Sequence, residues 1–221
     1  MKWTGLALAT AAFLGAASLS GQRAEAAICA TGAGGDLSLT IGAATYHTSS
    51  CADGVAQGGG PVTETNAINA GLGTTFAFIA KSDKANPGTG ILNGIQFTVD
   101  TDSGKAGGWT LSWADINGAA AANLPVQIDL AIGIFGGNNG AAYLFEDVLL
   151  PATPGSGSGA FKITFKNNGG NIPGISHFDL LGGNMSAPPP PTNVPEPASL
   201  ALFGAGLLGL GLARFRRRSG V

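Results

Sequence analysis

Short stretches in which apolar and polar residues alternate recur along the middle of this chain. The clearest are residues 37–41, 75–79, 95–99, 109–113, 126–132 and 161–165, with weaker ones at 142–145 and 176–181. Successive side chains of a strand point to opposite faces, so this period of two predicts antiparallel strands with one buried face. Gly, Asn, Asp and Pro separate the stretches, as is typical of an all-β sandwich. No long apolar stripe at helical spacing is present, which argues against an α/β fold.

We therefore expect residues 36–181 to form an all-β, antiparallel β-sandwich, jelly-roll-like or Ig-like, with about eight to ten strands. Its core should consist mainly of the apolar side chains of the alternating stretches: Phe76, Phe78, Ile95, Phe97, Val99, Trp109, Leu111, Trp113, Ile128, Leu130, Ile132, Phe161, Ile163 and Phe165.

The region between the two ends of the chain is acidic. Residues 27–187 contain five lysines, no arginine and eleven acidic residues, a formal charge of about −6, whereas the whole chain carries −2. Nucleic-acid binding relies on clustered Lys and Arg, so a nucleic-acid partner is not expected. Acidic character suits a soluble surface protein, because like charges oppose aggregation.

The chain has two cysteines, Cys29 and Cys51. An exported protein passes through an oxidising compartment, and two cysteines permit one bridge. We expect a disulfide that fastens the start of the domain to the residues that follow. A metal site is not expected, because the cysteines and the distant His47 and His177 lack the spacing of a ligand set. No cofactor is predicted.

The first 26 residues have the order of a secretory signal peptide. Lys2 supplies a basic start, residues 6–19 are mainly apolar, and Ala24-Glu25-Ala26 has the small-x-small pattern of a cleavage site. We expect an apolar signal helix here and cleavage by signal peptidase after Ala26.

The last residues have three parts in a fixed order. Val194, Pro195, Glu196 and Pro197 form a Pro-Glu-Pro signature, an uncharged apolar stretch follows over residues 198–213, and the arginines Arg214, Arg216, Arg217 and Arg218 come last. Proline keeps a chain extended and accessible. The apolar stretch would span about 24 Å as a helix, close to the minimum for a transmembrane segment, and the arginines would hold its end in the cytoplasm.

This tail resembles the PEP-CTERM sorting signal of Gram-negative bacteria, which an exosortase recognises and is thought to cleave. The resemblance implies a protein that crosses the inner membrane and is anchored transiently by a C-terminal transmembrane helix. It then reaches the outer surface or the extracellular matrix. Exosortase is the implied processing partner, and exopolysaccharide or biofilm is the implied setting.

These features divide the chain into a signal peptide (1–26), a β-sandwich ectodomain (27–187), a Pro-rich linker (188–193) and a sorting signal (194–218). The consecutive prolines of the linker favour a polyproline II spacer.

The ectodomain over about residues 75–182 also resembles a recurring ectodomain of PEP-CTERM proteins, in residues 109–113, 130–133, 142–145 and 175–180. In those relatives a Ser-His pair opens the last strand, and the resemblance implies a β-sandwich without an activity.

Several patterns in the ectodomain are weak candidates for sites. Ser176, His177 and Asp179 have the residue types of a hydrolytic triad, but in a strand His177 and Asp179 would share a face with Ser176 opposite, so a structural histidine is preferred. Residues 155–159 have Gly where a nucleophile elbow needs Ser. Residues 100–104 fit an ordinary turn better than a calcium loop.

Two classes of function stay open at this point. The first is a non-enzymatic surface or matrix protein. The second is a secreted carbohydrate-binding module or weak hydrolase, in which Tyr46, His47 and the tryptophans would build a sugar-binding face. Aromatic residues more often pack in the core, and the carboxylates are scattered over separate turns, so the first class is preferred.

Overall fold

The computed structural model describes residues 29–84, 86–117, 123–153 and 155–188. The predicted signal peptide with Ala24 and Ala26, the linker beyond residue 188, and the sorting signal with its predicted transmembrane helix lie outside these residues. Within the described ranges, no helix is long and apolar enough to cross a membrane.

The described residues form a β-sandwich of two antiparallel sheets, as predicted. The six-stranded sheet has the spatial order β2 (Ala44–His47), β1 (Ser38–Ile41), β10 (Ser156–Lys162), β7 (Ala106–Asp115), β6 (Ile95–Thr101) and β5 (Gly88–Leu92). The five-stranded sheet has the order β3 (Ser50–Asp53), β9 (Asn139–Leu150), β8 (Val126–Gly136), β11 (His177–Ser186) and β4 (Ala77–Ser82).

The eleven strands among the described residues exceed the expected eight to ten. The strands that the pattern missed are β2, β3 and β5, and each lies at the edge of a sheet. Their side chains are largely exposed or half-buried. A short edge strand with little buried surface does not need an alternating sequence, so period-two analysis cannot detect it.

The core lies between the two sheets, and its composition agrees with the prediction. Of the predicted core residues only Phe78 is half-buried, and the others are buried. Trp109 packs against Phe145 and Phe178 across the sandwich, with ring centroids 6.3 and 5.1 Å apart. Its indole N–H donates to the Ser38 carbonyl oxygen at 2.9 Å.

Strand β10 overlaps the predicted stretch 161–165 only at Phe161 and Lys162. Its earlier part was missed because Gly157 and Gly159 occupy the inward positions there, so no apolar side chains mark the alternation. A Cβ on Gly159 would overlap the Ser38 carbonyl oxygen and the Trp109 indole nitrogen. The alternation of Ser and Gly in residues 155–159 therefore belongs to a strand whose inward positions must stay empty.

A helix, α1 (Pro61–Leu72), covers the outer face of the five-stranded sheet, and the sequence analysis did not predict it. It begins with Pro61 at its N-terminus and ends at Gly73, whose φ of 70° is left-handed. Only Glu64 and Ile68 are buried, so the helix has no long apolar stripe. Central strands of this sheet are consequently buried on both faces, which explains the imperfect alternation at 142–145 and 176–181.

The predicted disulfide between Cys29 and Cys51 is present, with Cα atoms 6.2 Å apart. It fastens the first described residues to β3. Asp53 accepts a hydrogen bond from the Cys29 amide at 2.9 Å, so the same connection is supported by the backbone.

Candidate functional site

Three ionisable side chains converge beneath α1. Glu64 comes from the first turn of the helix, and His177 and Asp179 come from the start of β11. One carboxylate or imidazole atom of each lies within 4.8 Å of the others, and all three residues are buried. We call this group the Glu64–His177–Asp179 cluster.

The position of α1 over the cluster depends on Gly133 of β8, which pairs with Asp179. A Cβ at Gly133 would lie 2.6 Å from Cδ1 of Ile68, closer than side chains pack. Glycine therefore lets the helix approach the sheet. Because Glu64 is one turn before Ile68 on the same helical face, the approach carries its carboxylate to the sheet.

Glu64 is held in the ionised form by three groups. Its burial raises the carboxyl pKa, but a hydrogen bond from the Gly58 amide and the charge of Lys81, joined by that of His177 when the imidazole is protonated, outweigh this, so the pKa of Glu64 is lowered. The Gly58 amide donates to Oε1 at 3.0 Å, and Lys81 Nζ lies 3.5 Å from Oε2.

His177 is enclosed by the protein. Its ring stacks on Phe135 with centroids 4.6 Å apart, and Nε2 lies 3.2 Å from Glu64 Oε1 and 4.0 Å from Asp179 Oδ1. Neither contact has the alignment of a hydrogen bond, since Nε2 has no such partner among the described residues. Burial lowers the pKa of His177 although the charge of Glu64 opposes the shift, so the imidazole is neutral at pH 7.

The contacts of Ser176 bear on the tautomer of His177. The Ser176 hydroxyl lies 3.0 Å from the Phe135 carbonyl oxygen and 3.1 Å from His177 Nδ1, and Gln57 Nε2 donates to the same hydroxyl oxygen. In the tautomer that keeps the Ser176–Phe135 hydrogen bond, Nδ1 carries the ring proton and donates to Ser176. Nε2 is then an acceptor that faces the two carboxyl groups.

Asp179 is the member of the cluster whose burial is least offset by hydrogen bonds. Its side chain is 0% exposed, and neither oxygen has a hydrogen-bond partner among the described residues. Burial, followed by the charge of Glu64, raises the pKa of Asp179 to about 8. Buried carboxyl groups ordinarily have partners, so this arrangement requires a proton or another cation in the cluster.

The sequence prediction that His177 and Asp179 share a face is correct, but the prediction that Ser176 points away from them is wrong. Ser176 precedes β11, where strand alternation does not yet apply, and its amide and hydroxyl both bond to the Phe135 carbonyl. The hydroxyl proton is thus directed to a backbone acceptor, which does not favour Ser176 as a nucleophile.

The sugar-binding face considered from the sequence is not formed by the tryptophans. Trp109 and Trp113 are 2% and 4% exposed and belong to the core. Tyr46 is half-buried and accepts a hydrogen bond from the Leu149 amide. His47 is the next residue of the same edge strand, β2, so its side chain lies on the opposite face of the six-stranded sheet, and it is exposed. These residues therefore supply no joint aromatic platform.

The outer face of the six-stranded sheet is instead rich in hydroxyl groups. One row runs through paired positions of β2, β1, β10, β7 and β6: Thr45, Thr40, Ser158, Thr110 and Asp100. A groove of about 240 Å³ lies beside it, lined in part by Asp100, Asp102, Thr110 and Ser158. Asp100 and Thr101 are the last residues of β6, and the predicted turn is formed by residues 102–105, where Asp102 accepts a hydrogen bond from the Gly108 amide at 2.7 Å.

Sequence reasoning missed Glu64 as a member of a site. A signal was available, because Gly58, Gly59 and Gly60 followed by Pro61 favour the start of a helix. That signal places an acid in the first helical turn, but it does not show which strand the acid will meet.

The fold and the bridge define a disulfide-linked β-sandwich domain. The PEP-CTERM protein-sorting motif matches residues 193–218, so the resemblance of the tail is confirmed, and with it Val194, Pro195, Glu196, Pro197 and the arginines lie within the motif. The motif supports a protein that is exported, transiently anchored in the membrane and processed by an exosortase. No curated protein and no solved structure matches the chain.

Proposed function

We propose that this chain is a non-enzymatic protein of the outer surface or extracellular matrix, cut from its membrane anchor by an exosortase and associated with exopolysaccharide. The observation that carries the proposal is the sorting motif at residues 193–218. Signal peptidase would remove the first 26 residues, and the sandwich would be the part that is delivered.

The hydroxyl face supports the association with polysaccharide. Neighbouring strands lie about 4.8 Å apart, so the row through Ser158 and Thr110 presents regularly spaced donors and acceptors. A second row pairs Ser156, Ser112, Thr98 and Thr89. Such a surface can exchange hydrogen bonds with a hydrated sugar chain without a deep pocket, and the acidic domain stays soluble while it does so.

The tail is tested by mass spectrometry of the surface-localised protein. In cells with an active exosortase, we expect peptides from residues 216–221 to be absent, and in cells without the enzyme we expect them to be present. Recovery of the intact C-terminus from wild-type cell surfaces would contradict the proposed processing.

The partner is tested by co-sedimentation of the exported protein with exopolysaccharide purified from the same bacterium. The double variant Thr110→Val, Ser158→Ala should lower the bound fraction several-fold, since it removes two adjacent hydroxyls from the row. The matched control Ser103→Ala, Thr153→Val removes exposed hydroxyls outside the sheet face and should bind normally. Equal binding by both variants would exclude this face.

A further inference from the structure

We propose that the Glu64–His177–Asp179 cluster binds a divalent first-row transition metal ion, with Zn²⁺ as the representative ion. This goes beyond the function proposed above and does not depend on it. The cluster brings together one imidazole nitrogen and two carboxyl groups, which are common ligands of zinc in proteins.

The polarity of the cluster is the first argument. His177 Nε2 is 3.2 Å from a Glu64 oxygen without an aligned hydrogen bond, and in the tautomer in which Nδ1 donates to Ser176 two acceptors approach each other there. A metal ion between them converts this repulsive contact into two coordinate bonds.

The burial of Asp179 is an independent argument. Its carboxyl group is 0% exposed, lies 4.0 Å from the same Nε2 atom and has no hydrogen-bond partner among the described residues. Asp36 is a comparable buried acid, and hydrogen bonds offset the cost of burying its carboxylate. It accepts them from Ala30, Tyr143 and Thr164. Asp179 has no such donors among the described residues, and a metal ion would take the place of the proton that the buried carboxyl otherwise holds.

The distances fit a small ion after minor adjustment. Zinc bonds of about 2.0–2.2 Å in tetrahedral geometry place neighbouring ligand atoms about 3.4 Å apart. The observed separations of 3.2 and 4.0 Å from Nε2 lie on either side of this value. All three ligand atoms lie within 4.8 Å of one another, so binding requires the two carboxylates to rotate toward the ion.

Outer contacts orient the ligands in the manner of metal sites. The Ser176 hydroxyl lies 3.1 Å from Nδ1 of His177 and orients the ring, and the Gly58 amide donates to Glu64 Oε1. The imidazole favours a transition ion over Ca²⁺ or Mg²⁺, which prefer all-oxygen sites.

Among the described residues, Lys81 is the cationic side chain that opposes the ion, since its Nζ lies 3.5 Å from Glu64 Oε2. Its side chain is 27% exposed and so lies on the solvent side of the cluster. Removal of this charge by Lys81→Met should therefore tighten metal binding several-fold, an effect that a purely structural cluster would not show.

The test uses the full-length chain, purified with its disulfide formed and freed of metal by a chelator. Zn²⁺ is titrated in competition with a chromophoric chelator, and bound metal is counted by elemental analysis after dialysis. We expect one Zn²⁺ per chain, with affinity at least tenfold lower in His177→Gln and Asp179→Asn. Ca²⁺ should not compete.

His47→Gln is the matched control, because His47 is the other histidine of the chain and is exposed. It should bind like the wild type. No stoichiometric binding by the wild type, or equal binding by His177→Gln, Asp179→Asn and His47→Gln, would overturn the proposal and leave an adventitious ion only. If His177→Gln fails to fold, the test relies on the other two variants: Asp179→Asn should weaken Zn²⁺ binding, and Lys81→Met should tighten it.

Discussion

His177 Nε2 lies 3.2 Å from Glu64 Oε1, so a polar contact joins the first turn of α1 to the start of β11. The contact is buried under the helix and lies on the face of the sheet opposite to the main core. It places the most strongly perturbed carboxyl group of the described residues, Asp179, at the junction between the helix and the sheet.

The pH dependence of stability should reveal Asp179 when metal is removed with a chelator. Its pKa is raised from 3.8 to about 8 in the folded protein, so the stability contributed by the protonated carboxyl is complete below pH 4 and is lost as the pH rises to about 8. The lowered pKa of His177 changes stability in the opposite direction, but only below the ordinary histidine pKa of 6.5.

Between pH 6.5 and 8 we therefore expect the free energy of unfolding to fall for the wild type and to stay nearly constant for Asp179→Asn. Lys81, Glu64 and Asp83 also act on this region electrostatically. Chemical denaturation at several pH values measures the slopes. Glu146→Gln, at an exposed position, should retain the wild-type slope, and a flat wild-type profile would contradict the assignment.

Loss of the disulfide should destabilise the domain. The bridge joins residues separated by 22 positions, and a loop of that size contributes about 3 kcal/mol in the loop-entropy account. The double variant Cys29→Ala, Cys51→Ala should lower the free energy of unfolding by that order, measured by denaturant titration. Reductant should destabilise the wild type and leave the variant unchanged; an equal response of both proteins would exclude the bridge as the cause.

Gly159→Ala should be among the more damaging small substitutions in the sandwich. The added methyl group would overlap the Ser38 carbonyl oxygen and the Trp109 indole nitrogen, and backbone cannot move aside as a side chain can. We expect a loss of about 1–3 kcal/mol or more. Gly174→Ala is the control, because its Cβ would meet no atom closer than 3.6 Å; a similar loss in both variants would argue against steric overlap.

Asp36→Ala should destabilise the protein more than Tyr143→Phe. Asp36 accepts hydrogen bonds from the Ala30 amide, the Thr164 hydroxyl and the Tyr143 hydroxyl at 2.8, 2.7 and 3.2 Å. Its removal leaves three donors without this acceptor, at a cost of about 1–3 kcal/mol for each that stays buried and unpaired. Tyr143→Phe removes a single donor.

The double-mutant cycle of Asp36→Ala and Tyr143→Phe supplies the check. The tyrosine substitution should cost less in the Asp36→Ala background than in the wild type, because the shared hydrogen bond is already lost. Strict additivity of the two losses would show that the Asp36–Tyr143 contact contributes nothing.

The predictions from alternation succeeded where one face of a strand meets the core and the other meets solvent. Strand β6 is the clearest case, with Ile95, Phe97 and Val99 buried and Gln96 exposed between them. Alternation weakened in β11, because α1 covers the second face there. It missed β5, an edge strand in which glycine replaces the inward apolar residues.

The amino-acid sequence was sufficient to predict the all-β class, the disulfide between Cys29 and Cys51 and the sorting motif of the tail. These depend on local patterns: a period of two, a pair of cysteines in an exported chain, and an ordered set of short segments. Tertiary structure alone decided that Glu64 meets His177 and Asp179. That meeting depends on α1 packing over Gly133 between elements far apart in the chain, and no local spacing records such a contact.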